Sequence, residues 1–315
     1  MTVHHQIDAL PPFRRAIVTI GTFDGVHLGH RKIIDQVKQQ AFSVDGESVI
    51  ISFHPHPRTV VPGKADGIRL LTTMDERIAL LEPLGVDHLV VIPFTDAFAA
   101  LEAEDYVRQF LVGRFHPHTI IIGYDHRFGK NRKGNYALLD QLAPELGFQV
   151  REIDVQVLHE SSISSTRIRE ALRRGNAQEA RSLLGYPFFF SGDVVHGDKR
   201  GRTIGYPTAN LQVNDPEKIL PGNGVYAVLA NITNGPLAGQ QHRGMMNIGL
   251  RPTVDGNSLR TEVHLFDFDA DIYGQTLRVE LIDFIRGEVK FSGLDALKAQ
   301  LADDKIQAIA RLKLA

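Results

Sequence analysis

AIVTIGTFDGVHLGH, residues 16–30, decides how this chain folds. Its first five residues are apolar or β-branched, the pattern of a buried strand. Three glycines and two histidines are then crowded into the ten residues Gly21–His30. The following HRKIIDQVKQQAF repeats apolar residues at helical spacing, so a strand gives way to a helix through a glycine-rich turn. A helix start carries unpaired N–H groups and the positive end of the dipole, which makes it a ready anion site. His27 and His30 are three apart and share a face of one helical turn. Beside those N–H groups, two imidazole donors can bind phosphate oxygens and stabilise charge that grows in a transition state. A zinc site is the weaker alternative, because it needs further ligands and the chain has no cysteine.

Outward from this turn, short β-branched runs alternate with amphipathic stretches as far as about Val155: SVIISF, MDERIALLEPLG, HLVVIPF, DYVRQFLVGRF, TIIIG, NYALLDQLAPELG and FQVREIDV. That alternation predicts βαβ units and a parallel sheet covered on both faces, a doubly wound α/β domain with ligands at the carboxyl ends of its strands. A helical stretch, STRIREALRRGNAQEARSLLG, then ends at Gly185, and Pro187 follows. From Phe188 the grammar changes to VYAVLANI, RGMMNIG, TEVHLFDF and QTLRVELIDFI, separated by Gly, Pro, Asn and Asp, which predicts an antiparallel barrel or sandwich. The last amphipathic segment, SGLDALKAQLADDKIQAIARLKL, reads as a terminal helix. The fold class is therefore α/β then mainly β, with domains expected over residues 1–185 and 186–315.

Composition narrows the function classes. The 315 residues carry a formal net charge of -2, so the basic excess of a nucleic-acid binder is missing. Neither a signal peptide nor an apolar run near the roughly 18 residues of a membrane span is visible. The expectation is a cytoplasmic protein with no nucleic-acid or membrane partner.

GTFDGVHLGH resembles the HxGH signature of nucleotidyltransferases, in the form carried by bacterial bifunctional riboflavin kinase/FAD synthetases. Three further segments fit that family in order: SFHPHP at residues 52–57, IGYDHRFGKNRKGN at 122–135 and ISSTRIR at 163–169. By this resemblance Gly21, Phe23, Asp24, Gly29, Asp125, Ser165, Thr166 and Arg169 hold ATP, with His27 and His30 catalytic. His54, Pro55, His56, Arg127 and Lys130 are the expected flavin and phosphate contacts. Read physically, FGKNRKGN is a mobile cationic loop suited to polyphosphate, and Ser165 and Thr166 can cap a helix from which Arg169 reaches a phosphate. Two departures touch substrate contacts: His126 stands where the family commonly has Phe, and Ser52 where it has Thr.

GDVVHGDKRGRTIGYPTANL, residues 192–211, fails as a P-loop, since Asp198 occupies the lysine position and Lys199 comes one residue late. Gly197, Gly201 and Gly205, interleaved with Lys199, Arg200 and Arg202, still describe a basic turn able to cover phosphates. GYPTANL resembles the PTAN motif of riboflavin kinases, and NIGLRPT at 247–253 and TEVHLFDFDADIYG at 261–274 follow in that family's order. The resemblance implies a six-stranded Greek-key barrel with a terminal helix. It also implies ATP at Gly197, Lys199, Gly201, Gly205, Thr208 and Asn210, magnesium on Thr208 and Asn210, and Glu262 as catalytic base. A hydroxyl and an amide carbonyl are hard oxygen ligands suited to magnesium. A carboxylate within reach of a primary alcohol can take its proton as phosphoryl transfer proceeds.

Together these features predict riboflavin and ATP giving FMN and ADP in the second half, then FMN and ATP giving FAD and diphosphate in the first. Riboflavin, FMN and ATP are the expected small-molecule partners, with weak self-association left open. Two other classes stay in view: a nucleotidyltransferase for a different phosphate ester, and a flavin-binding protein without turnover.

Overall fold

The computed structural model describes residues 1–60, 67–123, 126–153, 163–197, 200–253 and 256–314. It divides into two compact units, Met1–Ser165 and Thr166–Ala315. The dividing point lies twenty residues before the change of sequence grammar at Gly185.

In the first unit the expected strands form at Ile17–Ile20 (β2), Ser48–His54 (β3), His88–Pro93 (β4), Thr119–Gly123 (β5) and Gln149–Ile153 (β6). A short strand at Thr2–His4 (β1), which no sequence pattern marked, is added beside β4. All pairs are parallel, in the order β1-β4-β3-β2-β5-β6. β2 is the switch point: the chain winds away from it through β3 and β4 on one side, and through β5 and β6 on the other. In such sheets the crevice beyond the carboxyl ends of the switch-point strands takes the ligand. Gly21–His30 occupies that place.

Helices cover both faces. Leu28–Ser43 (α1) and Met74–Leu81 (α2) pack Ile34 and Leu81 against Ile50, Leu89 and Val91. On the other face, the helical run through Ala103–Phe115 and helix Tyr136–Leu146 (α3) pack Val107, Leu111, Leu139 and Leu142 against Val18, Ile20, Val49, Ile51 and Ile120. The four inner strands β2 to β5 thus bury both sets of alternating side chains, which is why their sequences are continuous apolar runs, whereas the edge strands β1 and β6 leave most of theirs partly or fully exposed.

In the second unit the predicted helical stretch forms two helices, Ser165–Arg173 (α4) and Ala177–Leu184 (α5), with Asn176 capping the second by accepting from Glu179 N. α5 ends where expected, at Gly185, whose φ of 80° is the left-handed conformation that glycine adopts without strain. Six strands then close a barrel: Phe189–Val195 (β7), Ala209–Gln212 (β8), Gly224–Ile232 (β9), Gln241–Thr253 (β10), Gly256–Leu265 (β11) and Thr276–Arg286 (β12). All pairs are antiparallel, and the ring order is β7-β8-β11-β10-β9-β12. β9, β10 and β11 form a meander whose last strand lies beside β8, the Greek-key arrangement. The terminal helix Leu294–Leu312 (α6) packs Leu301, Ala308 and Ile309 against Val225, Met245 and Ile285.

Candidate active sites

In the first unit, the turn after β2 is held from below by a buried polar network. Gly21 N donates to Ile51 O of the neighbouring strand at 3.0 Å. Asp24 is 1% exposed, and its carboxylate accepts from Leu71 N (3.1 Å), Thr72 N (3.0 Å) and Thr72 Oγ1 (3.2 Å). Thr72 Oγ1 in turn accepts from Gly25 N at 3.0 Å. From α2, Arg77 reaches the same place: its guanidinium donates to Ser52 Oγ at 3.0 Å and lies 4.0 Å from Asp24. Ser52 Oγ then donates to Thr22 O at 3.2 Å. Arg77 is 2% exposed, and its Nε has no hydrogen-bond partner among the described residues. Burial lowers its pKa while Asp24 raises it, and a guanidinium so paired stays charged.

The two histidines are placed differently from a pair on one helical face. His27 is the N-cap of α1, and its Nδ1 accepts from His30 N at 3.3 Å. The neutral ring therefore carries its proton on Nε2. His30 stacks on it, with ring centroids 3.6 Å apart and planes 14° from parallel, and the ring of Phe23 lies 5.1 Å from His30. Burial first, then His27, then Arg77 push the His30 pKa well below the usual imidazole value, so the ring is neutral at neutral pH. Its Nδ1 is without a partner among the described residues. Gly29 keeps the stack close, since a Cβ there would lie 3.2 Å from His27 Nδ1.

Other expected residues meet this turn to different degrees. Ser165, at the start of α4, donates from Oγ to Asp24 O at 3.1 Å, which joins the ISSTRIR segment to the glycine-rich turn. Thr166 follows it, and Arg169 is buried one turn along the helix. His54 is exposed at the carboxyl end of β3, next to Pro55. His56 is buried, accepts from Arg58 N at 3.1 Å and shapes the following turn. Arg127 is exposed and donates to His126 O at 2.9 Å. The FGKNRKGN segment is a closed turn rather than an open loop, paired between Phe128 and Gly134. Lys130 there is held by Glu102 at 2.7 Å, which raises its pKa. Asp125 lies outside the described residues. Thr72 and Arg77 were not expected, because they act across about fifty residues and leave no local pattern.

The second unit brings Thr208, Asn210 and Glu262 together in a cavity of about 420 Å³ between the barrel strands and α6. Register builds it. On β11, Glu262 lies opposite Asn210 of β8 on one side and Asn247 of β10 on the other. Thr208 precedes β8 and lines the same cavity, as do Arg260 and His264, which share a strand face with Glu262. Arg260 is 3.7 Å from the Glu262 carboxylate. Apolar lining comes from Tyr206, Met245, Phe291, Leu297 and Leu301, the last two from α6. Arg286 and Asp304 close part of the wall through two bonds, Nε to Oδ1 at 2.8 Å and a terminal nitrogen to Oδ2 at 2.7 Å.

Gly197 backs directly onto this centre, and a Cβ there would fall 2.2 Å from Asn210 Nδ2. Gly201 lies within the single helical turn Arg200–Thr203 and Gly205 follows it, and the segment is closed by Tyr206 N donating to Gly201 O at 2.8 Å. Lys199 lies outside the described residues. Asn247 lies in the NIGLRPT segment, where nothing local marks it, and only the strand register reveals that it flanks Glu262.

The sequence profile of the FAD synthetase family matches residues 11–167, and that of riboflavin kinase matches residues 184–312. A bifunctional riboflavin kinase/FMN adenylyltransferase from Haemophilus influenzae is 40% identical over 287 residues, which cover 91% of each chain. The protein of the same description from Escherichia coli K12 is 38% identical, over 94% of this chain and 93% of its own. The chain belongs to the bifunctional riboflavin kinase/FMN adenylyltransferase family. A crystal structure described as a macrolide-efflux protein from Streptococcus pneumoniae shares the fold at a TM-score of 0.83 and 33% identity, over 96% of this chain and 97% of its own. Among the described residues, no helix of this family member is long and apolar enough to cross a membrane. The family's two activities fall in the order in which the two sites occur along the chain.

Proposed function

We propose that the barrel phosphorylates the ribityl 5′-hydroxyl of riboflavin with ATP, giving FMN and ADP. The first unit then joins FMN to the AMP of a second ATP, giving FAD and diphosphate. The observation that carries the kinase half is the row Asn210, Glu262, Asn247 across three strands, in one cavity with Thr208 and an apolar wall. Glu262 takes the hydroxyl proton as that oxygen attacks the γ-phosphorus. Tyr206, Met245, Phe291, Leu297 and Leu301 supply a surface for the flat, largely apolar flavin ring.

Thr208 and Asn210 are oxygen donors of the kind that magnesium takes, and Gly197 leaves the Asn210 amide room beside the phosphate-covering turn. They would hold the ion, which when bound offsets charge on the β- and γ-phosphate oxygens. The donor set fits it.

In the first unit, the α1 N-terminus, the Nε2–H of His27 and the neutral His30 ring receive the phosphate oxygens of ATP. The FMN phosphate attacks the α-phosphorus in line, and diphosphate leaves toward these donors, with no covalent intermediate. Asp24 acts from beneath: its saturated carboxylate fixes the turn. Functionally we place the boundary near residue 185, so that Ser165, Thr166 and Arg169 serve adenylyl transfer. The demand for ATP and flavin places the enzyme in the cytoplasm.

Purified full-length protein incubated with riboflavin, ATP and magnesium should show FMN first and FAD later. Glu262→Gln should abolish FMN formation and leave FAD formation from supplied FMN intact. Loss of both activities together would overturn the division of labour.

A further inference from the structure

β11 carries a second polar group on the face of Glu262. His264 is two residues further along the strand, so its side chain projects to the same side, and it lines the same cavity. It is 7% exposed, with the rings of Tyr206 and Phe266 set at steep angles to it at 5.3 Å and 5.7 Å. Its Nδ1 lies 2.8 Å from the carbonyl oxygen of Pro207. A carbonyl only accepts, so Nδ1 carries the proton and donates.

The position of that bond matters. Strand pairing between β8 and β11 runs through Asn210–Glu262 and Ala209–Val263 and goes no further toward Pro207. Proline has no N–H, so the backbone ladder has no donor with which to continue there. Between the last backbone pair and Pro207 stands Thr208. The segment bearing Thr208 is thus fastened on one side by the strand and on the other by the imidazole of His264.

We propose that His264 is a positioning residue for phosphoryl transfer: its Nδ1–H bond to Pro207 O holds Thr208 in the register at which Thr208 and Asn210 face Glu262. The inference rests on reading Thr208, Asn210 and Glu262 as the kinase centre. Burial lowers the His264 pKa, with the bond to Pro207 opposing. The ring is neutral in the working range, and protonation at Nε2 would leave the Nδ1–H bond in place. An apolar residue of similar size would pack equally well but would leave the Pro207 carbonyl without this donor.

The test compares three variants of the full chain. In His264→Asn the amide nitrogen falls near the place of Nδ1, in His264→Gln it falls near the place of Nε2, and in His264→Ala it is missing. FMN formation is measured across a magnesium titration, FAD formation from supplied FMN is measured in parallel, and thermal unfolding is recorded. His264→Ala and His264→Gln should lower kcat for FMN formation by about tenfold to a hundredfold, the scale of an ångström of misplacement. They should also raise the magnesium needed for half-maximal rate, and leave FAD formation unchanged. His264→Asn should recover most of the loss. If His264→Ala does not fold, the Asn and Gln variants decide, since a packing role would not separate them. Equal FMN formation by Asn and Gln variants of equal stability, or His264→Ala within about twofold of wild type, would overturn the proposal. Glu262→Gln run beside them separates the two readings: activity surviving there removes the kinase centre itself, whereas its loss beside wild-type-like His264 variants removes only the positioning role.

Discussion

His30 is a buried imidazole kept neutral by its surroundings, and that has a thermodynamic consequence. Its pKa in the folded chain lies well below the ordinary value of 6.5. The unfolded chain therefore binds a proton that the folded chain refuses, between those two values. Its contribution is fully present above the unfolded pKa and is lost as pH falls from there toward the folded value. His30→Gln removes this term, so the stability gap between wild type and variant should shrink as pH falls below about 6.5. Urea midpoints across that range check it, and a gap constant with pH would contradict the neutral buried ring. Arg77 is the second test at this scale. Arg77→Met removes the guanidinium 4.0 Å from the buried Asp24 carboxylate, a change that typically costs about 3–5 kcal/mol. Adenylyl transfer should fall with it while FMN formation persists, with Arg77→Lys intermediate in both measurements. Neither effect was legible in the sequence beyond the two histidines themselves. GTFDGVHLGH marks the turn by its glycines, but of the residues that hold it only Ser52 stands out, as a departure within SFHPHP, while Thr72 and Arg77 sit at a helix start where they read as ordinary pattern.

At the scale of elements, two joints decide whether the barrel centre keeps its shape. The first is the connection from β7 to β8. Gly197→Ala places a methyl group 2.2 Å from Asn210 Nδ2, so either the Asn210 amide or the turn must move. FMN formation should fall by at least about tenfold with a raised magnesium requirement, and FAD formation from FMN should be unaffected. The second joint fastens α6. Asp304, fully buried, accepts two bonds from Arg286 and one from Gln300 at 3.0 Å. Asp304→Ala should destabilise the second unit by about 3–5 kcal/mol and raise KM for riboflavin, because Leu297 and Leu301 on α6 line the cavity. A KM unchanged in a folded variant would detach α6 from flavin binding. Most elements could be read from the chain, since period-two and helical patterns are local properties. β1 could not: three residues at a sheet edge, paired only to β4 some eighty residues away, carry too short a pattern.

For the whole molecule, the change of sequence grammar and the division by packing fall at different places, and the physics of α4 and α5 explains why. Gly185 and Pro187 end a helix, which is a local event, whereas a unit is defined by what its core buries. Leu172 O accepts from Gly222 N at 2.9 Å, and Gln178 Nε2 donates to Ile282 O of β12 at 3.2 Å. Gly175 lies against Tyr226 and Phe284, where a Cβ would come within 3.0 Å of the Tyr226 hydroxyl and 3.1–3.2 Å of the Phe284 ring. Leu172, Leu183 and Leu184 are all buried. At about 1.5–3 kcal/mol for each such side chain, their burial is comparable with the roughly 5–15 kcal/mol that holds a whole domain together. A fragment spanning residues 166–315 should therefore unfold cooperatively and retain FMN formation. A fragment spanning 186–315 should lack a cooperative transition, as read by calorimetry and by loss of near-ultraviolet circular dichroism. Equal transition temperatures for the two would show that the barrel is self-sufficient and that α4 and α5 belong with adenylyl transfer alone. The expected result instead makes these helices an anchor for the barrel.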